Sequence, residues 1–228
     1  MSRVDEITTN LKKVNEQIKL AASSANRLSE EITLVAVTKT FPVSDIEILY
    51  SLGIRDFGEN RDQEASGKVR LLPDDVRWHF QGQIQSNKLK SITSWANYIH
   101  SVDKLKYAQM ISDYSAGTEK PIFIQVSLDK PPQSRSGVNP SDLLELAAAI
   151  SALPGISLHG LMAVAPINSP AEDAFAELKD IRSDFLSTFP DAKYLSIGMS
   201  GDYQIAIKYG ATHIRIGSSI LGIRAPIA

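Results

Sequence analysis

The chain has 228 residues, 43% hydrophobic and 22% charged, an ordinary globular composition that can bury a full core. A formal net charge of -2, spread without long basic or acidic blocks, leaves no electrostatic footprint for nucleic acid or an anionic membrane. The absence of cysteine excludes disulfides, thiolate metal sites and a cysteine nucleophile.

The first residues, Met1-Ser-Arg-Val-Asp-Glu-Ile7, carry acidic groups and no apolar leader, and no segment reaches transmembrane length. A cytoplasmic protein is expected. Val4, Ile7, Leu11, Val14 and Ile18 recur at helical spacing and predict an amphipathic helix over about 2–25, packed on the protein's own body. From there strand and helix patterns alternate. Strands are predicted over 32–39, 54–58, 77–81, 98–102, 121–128, 156–165, 194–199 and 213–217. Helical patterns lie between them, among them 44–51, 104–116, 141–153 and 171–188. Ser44-Asp45 and Ser141-Asp142 supply capping oxygens, and Pro140 and Pro170 precede helices. Gly53, Gly117 and Gly210 fall just past helix ends, where a left-handed residue is needed.

Alternating strands and helices imply a parallel sheet. Eight such units in a chain of this length suit a closed (β/α)8 TIM barrel better than an open sheet. No linker or composition shift divides the chain, so one domain over 1–228 is expected, with the barrel over about 32–222. The irregular stretch 129–140 follows the fifth strand and reads either as a lid or as a surface loop. His79, His100, His159 and His213 stand singly without zinc spacing, so they read as structural and no metal is expected.

Lys39 follows the apolar run Ile32-Thr-Leu-Val-Ala-Val-Thr38, and Pro42 marks the end of that strand. Alternation puts Val35, Val37 and Lys39 on one face. A lysine there either snorkels to solvent or, with its basicity depressed, serves as a Schiff-base nucleophile. In a barrel the carboxyl ends of all strands meet at one mouth. Glu59 and Asn60 follow the second strand, Gln81 the third, Ser127 is late in the fifth and Met162 in the sixth. Ser196-Ile-Gly-Met-Ser200-Gly-Asp202 and Arg215-Ile-Gly217-Ser218-Ser219 are glycine- and serine-rich turns after strands seven and eight, where barrels most often hold phosphate. Otherwise they are tight turns with capping serines. Arg215 points inward by alternation and needs either a protein carboxylate or a ligand acceptor. An amine for an aldehyde, two turns for a phosphate and a guanidinium for a ring nitrogen together describe pyridoxal 5′-phosphate. Arginine does not give up its proton, so a pyridine nitrogen facing it stays unprotonated and is a weak electron sink.

At these residues the chain resembles the YggS/PROSC family of pyridoxal phosphate-binding (pyridoxal phosphate homeostasis) proteins. The matching segments are Ala36-Val-Thr-Lys39-Thr, Phe57-Gly-Glu-Asn60, Trp78-His-Phe-Gln-Gly82-Gln-Ile-Gln-Ser-Asn-Lys88, His159-Gly-Leu-Met162, Leu195-Ser-Ile-Gly-Met199-Ser200 and Ile214-Arg215-Ile-Gly217-Ser218. They run in the family's order over nearly the whole barrel. The resemblance implies a barrel similar to the N-terminal domain of alanine racemase, with Lys39 as the Schiff-base lysine and Arg215 facing the pyridine nitrogen. It implies further that Ser200, Gly217 and Ser218 bind phosphate, that Asn60 lies near the cofactor and that Met162 lines the pocket. Ser218 stands where many members have threonine, which keeps the hydroxyl, and Arg61-Asp62 departs from the common pattern.

The implied function is a monomeric pyridoxal phosphate carrier or regulator of vitamin B6 and amino-acid homeostasis, handing the cofactor to apo-enzymes, with no catalytic residue assigned. One alternative is an amino-acid racemase. It requires a second acid/base opposite the lysine, which racemases resembling this barrel take from an added β-domain that this chain is not expected to carry. The other is a Schiff-base aldolase on a phosphorylated substrate, whose lysine would more often lie on a middle strand with a paired carboxylate base and which leaves Arg215 unexplained.

Overall fold

Parallel strands form where β-branched and apolar residues run together, and helices form in the stretches of 3.6-residue periodicity between them. The computed structural model describes residues 2–115, 117–129 and 136–222. The chain order is α1 (Arg3–Ser24), β1 (Thr33–Val37), α2 (Val43–Ser51), β2 (Asp56–Glu59), α3 (Asp62–Val69), β3 (Arg77–Phe80), α4 (Leu89–Trp95), β4 (Tyr98–Val102) and α5 (Leu105–Tyr114). It continues with β5 (Lys120–Gln125), α6 (Leu143–Ser151), β6 (Ile156–Met162), α7 (Ala171–Thr188), β7 (Tyr194–Ser196), α8 (Tyr203–Lys208), β8 (His213–Ile216) and α9 (Ser218–Leu221). The strands pair in sequence order and β8 returns to β1, so the sheet closes into the expected (β/α)8 barrel.

Several strands stop short of their predicted ends. The regular ladder of β1 ends at Val37, two residues before Lys39, and β6 ends at Met162 rather than at 165. Beyond those ends individual main-chain bonds continue the pairing, such as Thr38 N–H to Gly58 O at 3.0 Å and Ala163 N–H to Ser196 O at 3.2 Å. Gly53, Gly117 and Gly210 take φ values of +94°, +82° and +90° just past their helices, as predicted.

The barrel separates two buried layers. Ala36, Phe57, Phe80, Ile99, Ile124, Leu195 and Ile214 lie buried on the outer face of the sheet, against the helices. Each large side chain contributes on the order of 1.5–3 kcal/mol by leaving water. The inner layer is aromatic and polar. His100 stacks on Phe123 with centroids 4.3 Å apart, His79 on Tyr98 at 4.6 Å and His159 on Tyr194 at 4.5 Å, and His213 touches members of all three pairs. Four histidines that are solitary in sequence thus meet inside one barrel, and burial lowers the basicity of each. Among the described residues no group of side chains is arranged to hold a metal ion.

Helix α1 begins with a capping box between Ser2 and Asp5 and buries Ile7, Leu11, Val14 and Ile18 against α8 and α9. Val4, the first residue of the predicted stripe, is 52% exposed, because the stripe meets the barrel only after the first turn. Arg3 ties that turn down through Asp45 Oδ2 at 2.7 Å and Leu221 O at 2.9 Å. Among the described residues no helix is long and apolar enough to cross a membrane.

Candidate functional site

A cavity of about 550 Å3 opens at the carboxyl mouth of the barrel, a size suited to a small cofactor. Its wall contains Lys39, Asn60, Met162, Ser200, Arg215, Gly217 and Ser218, together with Gln81 and a partly apolar rim that includes Phe41, Val164 and Met199. Lys39 stands exposed in that wall. Thr40 beside it takes φ +67°, a left-handed conformation that is strained for a β-branched residue.

Arg215 is buried at the base of the cavity. Its NH1 donates to Ser196 O at 2.6 Å and Ser196 Oγ at 2.8 Å, and its NH2 donates to Ala163 O at 3.0 Å. All three acceptors are uncharged. Burial lowers its pKa to about 10, against the opposing pull of Asp202, so the guanidinium remains protonated at neutral pH and can only donate. Across the mouth, the main-chain N–H groups of Gly217 and Ser219 both point at Ser200 Oγ, each at 3.3 Å. These two long bonds tie the turn after β7 to the turn after β8 through the Ser200 hydroxyl.

Glycines make the room. A Cβ on Gly82 would lie 1.9 Å from Asn60 O, so only glycine lets the β2 and β3 ends approach as they do. Gly198 has φ +91° and turns the chain between β7 and α8. Gln81 Nε2 is buried in the cavity wall with no hydrogen-bond partner among the described residues. An orphaned donor there suits a bound acceptor.

Residues 7–225 match the family described as "Alanine racemase, N-terminal domain". The chain belongs to that family. A relative in Corynebacterium glutamicum named pyridoxal phosphate homeostasis protein is 42% identical over 89% of this chain and 95% of its own. One of the same name in Pseudomonas aeruginosa is 40% identical over 96% of each chain. PipY of Synechococcus elongatus, solved with pyridoxal phosphate bound, superposes with a TM-score of 0.79 at 31% identity, covering 90% of this chain and all 100% of PipY.

In this family member two expected mouth residues lie elsewhere. Glu59 is fully buried on the outer face of β2, opposite in direction to its neighbour Asn60. Lys68 Nζ donates to Glu59 Oε1 at 2.7 Å, to Glu64 Oε1 at 2.6 Å and to Thr38 O at 2.8 Å, which uses all three ammonium protons. Thr38 Oγ1 donates to Glu59 Oε1 at 2.7 Å, and Thr40 N–H donates to Glu64 Oε1 at 2.6 Å. Glu59, Glu64 and Lys68 therefore clamp the backbone on both sides of Lys39, and burial raises the Glu59 pKa against the pull of Lys68. Ser127 lies past the end of β5 and lines a separate, smaller pocket with Gln125 and Ser136, because β5 ends at Gln125.

Of the partners predicted for Arg215, a protein carboxylate is not among its hydrogen-bond acceptors, which are Ser196 O, Ser196 Oγ and Ala163 O. Asp62, in the segment that departs from the common pattern, accepts a bond from Trp95 Nε1 at 2.9 Å and joins α3 to α4. Residues 130–135 of the stretch that reads as a lid or a surface loop lie outside the described residues. The clamp escaped sequence reasoning although strand parity could have separated Glu59 from Asn60.

Proposed function

We propose that this protein binds pyridoxal 5′-phosphate in the cavity at the barrel mouth and serves intracellular vitamin B6 and amino-acid homeostasis. Lys39 holds the cofactor as a Schiff base, and the protein acts as a carrier, handing the cofactor to apo-enzymes rather than turning over a substrate. One observation carries this reading: Lys39, Asn60, Met162, Ser200, Arg215, Gly217 and Ser218, widely spaced in sequence, line a single cavity. The relatives' name and the pyridoxal phosphate bound to PipY support the same group.

The residues present fit it. Lys39 offers a primary amine, the Ser200 and Ser218 hydroxyls and the Gly217 turn line the wall where a phosphate would sit, and Arg215 offers a permanent donor to a ring nitrogen. When bound, the cofactor supplies an aldehyde for the amine and a pyridine ring as electron sink. Arg215 keeps that ring nitrogen unprotonated, which favours retention over carbanion chemistry. Among the described residues, the cavity wall contains one amine and one guanidinium as its charged groups, and no tyrosine, histidine or carboxylate that could serve as a second base.

The test is absorbance of the purified protein, then borohydride reduction and peptide mass mapping. A yellow protein with a reduced pyridoxyl group on Lys39 is expected; a colourless protein that cannot be reconstituted with pyridoxal phosphate overturns the reading. Carrier and racemase separate on L-alanine in deuterated water, where the carrier leaves the α-hydrogen in place and a racemase exchanges it.

A further inference from the structure

Ser196, which accepts from Arg215, is also the last member of a hydrogen-bonded chain across the barrel core. Arg77 Nε donates to Asp56 Oδ1 at 2.8 Å near the opposite mouth. Asp56 Oδ1 meets His79 Nε2 at 3.0 Å, His79 Nδ1 meets His100 Nε2 at 2.9 Å, and His100 Nδ1 meets Ser196 Oγ at 2.8 Å.

The protons in this chain have only one consistent arrangement. Burial pushes the Asp56 carboxyl upward, but hydrogen bonds from Arg77 and His79 outweigh that and hold it at about 2, so it is ionised and accepts. His79 therefore donates from Nε2. Burial keeps His79 neutral against the pull of Asp56, so its Nδ1 is a lone-pair acceptor. His100 must then donate from Nε2. It too is neutral, with burial and the nearby His79, His213 and Arg215 all disfavouring its cation, so its Nδ1 accepts the Ser196 proton. That leaves the Ser196 lone pairs for Arg215.

We infer that Asp56, His79 and His100 are a positioning relay for Arg215: anchored on Asp56, they commit the Ser196 proton away from the guanidinium and so hold Arg215 in place at the cavity base. The inference rests on the reading above, in which Arg215 faces the ring nitrogen of pyridoxal phosphate. A relay of this kind accounts for two of the four imidazoles, His79 and His100, in a layer where barrels usually pack branched aliphatic side chains. It also makes residues near the far mouth matter to a ligand they do not touch.

The direct test is the imidazole 15N chemical shifts of the ligand-free protein near neutral pH. His79 and His100 should both be neutral with the proton on Nε2; an Nδ1 proton or a cation on either overturns the relay, whether or not any cofactor binds. The second measurement is pyridoxal phosphate affinity and the absorption maximum of the bound form in Ser196→Ala and Asp56→Asn. Each should bind at least about tenfold more weakly than wild type, because a hydrogen bond to a charged group is lost or loosened. Saturation with pyridoxal phosphate should move the His100 resonance in wild type and not in Ser196→Ala. Unchanged affinity, or the same His100 response in both proteins, refutes a positioning role, even where thermal stability drops. Ser196→Ala removes a single oxygen and is the variant to rely on if Asp56→Asn unfolds. A wild-type protein that takes up no pyridoxal phosphate overturns the proposed function, an outcome distinct from a failure of the tautomer assignment.

Discussion

Acidification should weaken the barrel from within, and His213 carries a measurable share of the loss. The residue is 6% exposed and its ring is in contact with His79, Tyr98, His100, Phe123 and Tyr194. Burial, reinforced by His79, lowers its pKa to about 3. In the unfolded chain the imidazole returns to about 6.5. Below that value the unfolded state binds a proton that the native state refuses, so stability is full above about pH 6.5 and is lost as pH falls toward the folded value. Between about pH 7.5 and about pH 5 this one residue removes about 2 kcal/mol. His79 and His100 shift in the same direction, whereas Glu59, with its raised pKa, binds its proton more readily when folded and works in the opposite sense. The clean quantity is therefore the difference between wild type and His213→Gln, measured by urea unfolding of the ligand-free protein with far-UV circular dichroism. The variant should lose about 2 kcal/mol less than wild type on acidification over that range. Equal losses in the two proteins would refute the assignment of a neutral, proton-refusing His213.

Three further substitutions probe the mouth. Lys39→Ala should abolish the borohydride-stable pyridoxyl adduct while moving the melting temperature by less than about 2 °C, since an exposed side chain is removed; a retained adduct would assign the amine elsewhere. Lys68→Met should destabilise the protein by about 3–5 kcal/mol, because Glu59 and Glu64 lose their shared cation and Glu59 stays buried; chemical denaturation within about 1 kcal/mol of wild type would mean that the clamp is not a buried ion pair. Gly82→Ala should push Asn60 from the cavity wall, destabilise by about 1–3 kcal/mol and weaken pyridoxal phosphate binding; unchanged affinity would show that Asn60 is not held by that contact.

The elements most legible in sequence were those with local causes. Helix α7 spans Ala171–Thr188, as its periodicity and the preceding Pro170 predict, and β4 spans Tyr98–Val102 as its apolar run predicts. The residues that line the cavity were legible because they sit at or just beyond strand ends, and barrel closure brings every such end to one place. Glu59 shows the limit. It stands beside Asn60 in sequence, but one step along a strand reverses the direction of a side chain, and only its packing against Lys68 shows which way it went.

The amino-acid pattern by itself determined the alternation of strands and helices, the closed barrel, most of the mouth residues and the family, because each depends on local periodicity or on short motifs. Only the tertiary structure decided what fills the barrel and what supports the site. His79 and His100 come from neighbouring strands, while Ser196 and Arg215 come from β7 and β8 on another part of the wall. Nothing local relates them; closure of the sheet puts their inward faces within hydrogen-bond distance, and burial then makes their pairing and protonation interdependent.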